Sequence, residues 1–156
     1  MNARRVPFQR VGGLALAAAM LVGGVAALAA RGDGPGETAR RLKVVVHVNF
    51  GDATRQGNGL KNVENILKAA EAVGTAVEVE VVCHSDGIAL LEKTKTAHAG
   101  TIDLLAKKGV HFAACQNTMR QRLIRPEDLL AGVTTVPSGA FEVVRRQQDG
   151  YSYFKP

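Results

Sequence analysis

Apolar positions divide the chain into two unlike parts. Val11 to Ala30 is one unbroken run of apolar and small residues behind the basic stretch Met1 to Arg10, whereas from Leu42 onward the apolar residues come in short runs and periodic stripes. Lys43 to Asn49 (KVVVHVN) is nearly continuous and β-branched, which predicts a strand buried on both faces of a parallel sheet. Phe50 to Asn58 carries the turn formers Gly51, Asp52 and Gly57 and reads as a loop. Leu60, Val63, Ile66, Leu67 and Ala70 then recur at helical spacing, predicting an amphipathic helix from Gly59 to Ala72 with Gly74 as its stop.

Val77 to Cys83 is a second strand in which Glu78 and Glu80 alternate with valines, a pattern expected of a partly exposed strand near a sheet edge. Ser85-Asp86-Gly87 opens a helical stretch through Leu91, and Thr96 to Lys107 forms the next helix, ended by Gly109. Val110 to Ala114 is a third strand, and Gln116 to Leu123 a short helix. Pro126-Glu127-Asp128 suits a helix first turn. Val133 to Val136 is a fourth strand, Ser138 caps a helix through Gln148, and Tyr151 to Phe154 is the last strand. This βα alternation predicts an α/β fold: a three-layer α/β/α sandwich around a mainly parallel sheet of about five strands.

Residues 1–30 have the form of a secretory signal: a basic start, an apolar middle, and the small-x-small pattern Ala27-Leu28-Ala29. Arg4-Arg5 ahead of a Gly/Ala-rich run resembles a twin-arginine leader. The competing reading is an uncleaved membrane anchor, since about 20 apolar residues suffice to span a bilayer. Either way the remainder is expected outside the cytoplasm, periplasmic or exported, touching membrane only through an uncleaved leader. Residues 31–41 (RGDGPGETARR) are Gly/Pro-rich and charged, a linker before one domain over residues 42–156. The formal net charge is +6, of which Arg4, Arg5 and Arg10 in the leader supply half. What is left is too mild for a nucleic-acid partner, which asks for a clustered basic face.

In a parallel sheet the functional crevice lies beyond the carboxyl ends of the strands. Asn49, Cys83, His84, Asp86, Cys115, Asn117 and Ser138 fall there. Cys115 leaves a strand and enters a helix start, where unpaired N–H groups and the positive dipole end favour a thiolate. Arg120 and Arg122 follow within two turns. A thiolate so placed attacks sulfur or carries a persulfide; a buried, inert thiol is the plain alternative. Cys83 ends its strand on the side of the valines, as a core residue does. Outside the cytoplasm the two cysteines also permit a Cys83–Cys115 disulfide, provided their Cα atoms lie within about 7 Å. Cys83-His84 with Asp86 and Cys115 lacks any recognised metal-ligand spacing. His47 and His111, within strands, read as satisfied core residues, and His98 as helix surface. The Gly57-Asn-Gly59 turn matches neither a P-loop nor a dinucleotide fingerprint. No cofactor is expected.

Gly109-Val-His-Phe-Ala-Ala-Cys115-Gln-Asn117-Thr118-Met119 resembles the cysteine motif of the DsrE/DsrF-like family. Leu60-Lys-Asn62-Val-Glu-Asn65-Ile-Leu67, Val81-Val-Cys-His84 and Val136-Pro137-Ser138-Gly139 fit the same family in order, so the resemblance covers the domain from Leu42 to Pro156. It implies a three-layer domain that assembles into trimers, hexamers or mixed complexes. It implies also a sulfur-relay role, with sulfane sulfur held as a persulfide on Cys115 and passed to or from a donor or acceptor protein or a small thiol. His84, Asn117, Arg120 and Cys83 are the candidate supporting residues. Were there an enzymatic activity, it would be that of a sulfurtransferase. The other class of reading is a non-catalytic binding or assembly module whose cysteines are structural.

Overall fold

A computed structural model describes residues 41–156; the expected leader and nearly all of the linker lie outside them. The described residues run β1 (Leu42–Val48), α1 (Ala53–Ala72), β2 (Val77–Cys83), a 3-10 helix (Ser85–Leu91), α2 (Ala99–Lys107), β3 (His111–Cys115), α3 (Gln116–Arg122), a 3-10 turn (Pro126–Asp128), β4 (Thr134–Val136), α4 (Gly139–Gln148) and β5 (Ser152–Phe154). Among them no helix is long and apolar enough to cross a membrane.

The five strands form one sheet in the order β4-β3-β2-β1-β5, and every pairing is parallel. Because side chains alternate along a strand, the two faces carry separate cores. Val44, Val46, Val48, Val79, Val81, Cys83, Phe112 and Ala114 join Leu60, Val63, Ile102, Leu105 and Met119 from α1, α2 and α3 on one face. On the other face Val45, Val82 and Ala113 meet Val143 of α4 and Tyr151. The fold is the expected α/β sandwich, with α4 the helix of the second face. The connection after β3 therefore turns to one face and that after β4 to the other, which makes the carboxyl ends of β3 and β4 a topological switch point.

Two local expectations are corrected. Residues 53–58 are helical, not loop: Asp52 caps α1 by accepting from the Arg55 N–H at 2.7 Å. Gly57 and Gly59 lie inside the first part of the helix because neighbours press on them; a Cβ at Gly57 would stand 2.8 Å from the His98 ring. That ring bonds the Ala53 carbonyl at 2.8 Å, so His98 ties the start of α2 to α1.

The second correction concerns β2, which is the central strand rather than a near-edge one. Its alternating glutamates face α4. Glu80 is buried, with Arg146 Nε 2.5 Å from Oε2 and Nη2 donating to Oε1 at 3.2 Å, and Arg146 also bonds Glu142 at 2.9 Å. Glu78 accepts from the Tyr151 hydroxyl. Burial pushes the Glu80 carboxyl pKa up while Arg146 pulls it back. An ion pair of this kind costs most when only one partner is removed. Arg146→Met is expected to cost about 3 kcal/mol at neutral pH by denaturant unfolding, with the loss shrinking in acid as Glu80 takes up a proton. An unfolding midpoint equal to the wild type at both pH values would contradict the pairing.

Candidate functional site

Cys115 is the last residue of β3 and the N-cap of α3, with φ −74° and ψ 115°. Its side chain points to the α4 face, since Phe112 and Ala114 point to the other. Only 4% of the residue is exposed. Burial opposes ionisation of the thiol, yet the N–H groups of Gly139, Thr118 and Asn117 and the Thr118 hydroxyl favour its anion, and the net effect is a lowered pKa. The donors come from two helix starts: Asn117 and Thr118 from α3, Gly139 from α4. Thr118 is itself buried, and its hydroxyl accepts the Ser85 N–H at 3.0 Å. Ser85 holds a left-handed φ of 49° to make that bond, a strained conformation for a residue with a side chain.

Gly139 is where the two helix starts converge. A Cβ on it would lie 2.9 Å from His84 Cβ and 3.2 Å from Cys115 Cβ, so only glycine lets α4 approach this closely. Ser138 fixes the approach as N-cap, its hydroxyl accepting from Phe141 N–H at 3.4 Å.

His84 stands beside Cys115. The β2–β3 register pairs Cys83 with Ala114, so the next step places His84 opposite Cys115 on the α4 face. His84 Nε2 meets His47 Nε2 at 2.6 Å, and the rings stack with centroids 4.8 Å apart. His84 Nδ1 bonds Ser85 Oγ at 3.0 Å, and His47 Nδ1 bonds the Tyr153 hydroxyl at 2.9 Å. Half-burial above all holds both imidazoles below their ordinary pKa, with Lys155 adding to it; for His47, where His84 contributes as well, the value falls to about 4.

Of the expected site residues, Cys115, His84 and Asn117 are brought together, Asn117 through its backbone N–H. Arg120 is exposed and donates to the Asn117 side-chain oxygen, while Arg122 pairs with Asp86. Cys83 is not at the site. It is fully buried on the opposite face, where desolvation raises its pKa, and both cysteines are free thiols. His47 is part of this cluster rather than a core residue, and His111 is exposed at the start of β3. Sequence reasoning passed over Thr118, Ser85, His47 and Gly139. The signal for His47 was its phase: in a valine strand it shares the face of Val45, and by register the face of His84. Among the described residues no group of three or more His, Cys, Asp and Glu is placed to hold a metal.

Iodoacetamide is expected to label Cys115 in the native protein at neutral pH, and Cys83 only after unfolding. Gly139→Ala should slow the labelling of Cys115 and move its pH midpoint upward. Equal labelling of both cysteines, or a Gly139→Ala profile matching the wild type, would contradict this geometry.

The model of the DsrE/DsrF-like family matches residues 43–156. Among solved structures, the protein of unknown function MTH1491 from Methanobacterium thermoautotrophicum is 36% identical, with a TM-score of 0.69 over 74% of this chain and 99% of that one. No protein in the curated set matches. With the family model spanning the sheet, both helix layers and the cysteine site, the chain belongs to the DsrE/DsrF-like family.

Proposed function

We propose that the domain is a sulfur-relay protein that carries sulfane sulfur as a persulfide on Cys115. One observation carries the reading: in a family tied to sulfur metabolism, Cys115 is the N-cap of α3 with the start of α4 closed against it at Gly139, and the N–H groups of these two helix starts favour its anion. The thiolate is the nucleophile in sulfur exchange. It attacks the terminal sulfur of a donor persulfide; one S–S bond forms, another breaks, and the electron pair leaves on the donor thiolate. Discharge reverses the step, and the same N–H groups then stabilise Cys115 as leaving group. The partners are a donor or acceptor protein or a small thiol. An exported location follows if residues 1–30 act as the leader their pattern suggests.

Incubation with inorganic polysulfide should add one sulfur to Cys115, seen by intact mass and peptide mapping and removed by reductant. Cys115→Ser should abolish the gain and Cys83→Ser should keep it. A gain that survives Cys115→Ser would sink the reading, and turnover of thiosulfate would make the protein a sulfurtransferase rather than a carrier.

Assembly into a homo-oligomer is the second part of the proposal. Phe141 and Val144, 66% and 51% exposed on the outer face of α4, support it. Sedimentation of the wild type as a trimer or hexamer, and of Phe141→Asp as a smaller species, is expected; a monomeric wild type would refute it.

A further inference from the structure

Four adjacent strands present one side chain each toward the α4 face at the carboxyl end of the sheet. From β3 to β5 these are Cys115, His84 (one residue past the end of β2), His47 and Tyr153. Neighbouring strands lie about 4.8 Å apart, so each side chain reaches the next. Three contacts link the row beyond Cys115: Tyr153 Oη to His47 Nδ1 at 2.9 Å, His47 Nε2 to His84 Nε2 at 2.6 Å, and His84 Nδ1 to Ser85 Oγ at 3.0 Å. Ser85 is exposed, and its backbone N–H bonds the Thr118 hydroxyl, one of the groups that favour the Cys115 anion.

Two nitrogens 2.6 Å apart accommodate one proton between them, never two. The imidazole pair therefore takes up a single charge. When His84 Nε2–H donates to His47 Nε2, His47 Nδ1–H donates to the Tyr153 oxygen, and His84 Nδ1 is left to accept from the Ser85 hydroxyl. His84 can then gain a proton at Nδ1 with no other proton moving. Cys115 needs no base of its own, because backbone N–H groups already favour its anion. A base beside it is available to a second sulfur.

We propose that His84, acting through the Ser85 hydroxyl, is the base that takes the proton of the thiol receiving sulfur from Cys115, and that His47 and Tyr153 are its positioning residues. The inference rests on the sulfur-carrying reading above. The acceptor S–H bond breaks as the proton passes by way of Ser85 Oγ to His84 Nδ1, and the electron pair stays on the acceptor sulfur. That thiolate attacks the terminal sulfur of the Cys115 persulfide; an S–S bond forms, the bond to Cys115 Sγ breaks, and its electron pair returns to Cys115. Loading runs the same proton in reverse. Besides Cys115 and Tyr153, the ionisable group that acts on both rings is Lys155 after β5; Asp86, two residues on from His84, is held by Arg122. Burial opposes protonation of both rings and Lys155 adds to it, so both favour the neutral form that can accept a proton.

The test uses the full protein loaded with inorganic polysulfide, with discharge to dithiothreitol followed by intact mass between pH 4 and 8. The wild-type rate should rise with pH through one inflection. His84→Gln, once loaded, should discharge about 100-fold more slowly, with the inflection gone. His47→Leu should move the inflection, and His47→Gln, which keeps an acceptor for His84 Nε2–H, should restore it. Ser85→Gly suits the left-handed backbone, so its fold is retained while the hydroxyl is lost; it should discharge as slowly as His84→Gln. Unchanged rate and pH profile in His84→Gln or Ser85→Gly would overturn the role of this pair alone. A wild-type Cys115 that takes up no sulfur would overturn the sulfur-carrying reading, and this inference with it.

Discussion

The contact of Gly139 with the ends of β2 and β3 is the constraint on which the site depends. With no Cβ in the way, the first turn of α4 closes against His84 and Cys115, and the Gly139 N–H joins those of α3 in favouring the cysteine anion. Backbone donors of this kind are fixed before any anion forms, so they stabilise charge without reorganising. Their effect must exceed the cost of holding a thiolate 4% exposed, and the direction of the Cys115 pKa says that it does.

The same helix explains why the second face of the sheet carries charge. Its apolar core is small, Val45, Val82, Ala113, Val143 and Tyr151, against the much larger cluster on the opposite face. What holds α4 in place is its two ends. Gly139 and Ser138 fix the start at the site, and Arg146, bonded to Glu80 and Glu142, fixes the end over the central strand. Buried ion pairs are poor sources of stability, but breaking one leaves a buried charge unpaired, which disfavours arrangements that separate the partners. Here the arrangement favoured is the angle at which the helix start meets Cys115.

Much of this was legible in the residues. The valine-rich runs gave the strands, and the Pro/Gly/Ser punctuation gave the order of elements. A cysteine between an apolar run and a helix start marked the site. The errors share a physical origin, since alternation and composition report local preference but not the partner across the fold. Glu78 and Glu80 looked solvated because their partners Tyr151 and Arg146, 73 and 66 residues away, are invisible to a period-two pattern. Residues 53–58 looked like a loop because Gly57 is small to admit His98, not to bend the chain. His47 looked structural because its partner His84 is 37 residues away. Thr118 was legible only as part of a family motif. Its role appears once Ser85 is seen to donate to its hydroxyl, one of the groups that favour the Cys115 anion.

A direct test of the Cys115 site is titration of its thiolate by ultraviolet absorbance in the Cys83→Ser protein, with Thr118→Val as the comparison. A midpoint below the ordinary cysteine value of about 8.5, moving upward when the Thr118 hydroxyl is removed, is the expected result. A midpoint at or above that value, unmoved by Thr118→Val, would mean that burial governs Cys115 and that the converging helix starts do not hold its anion.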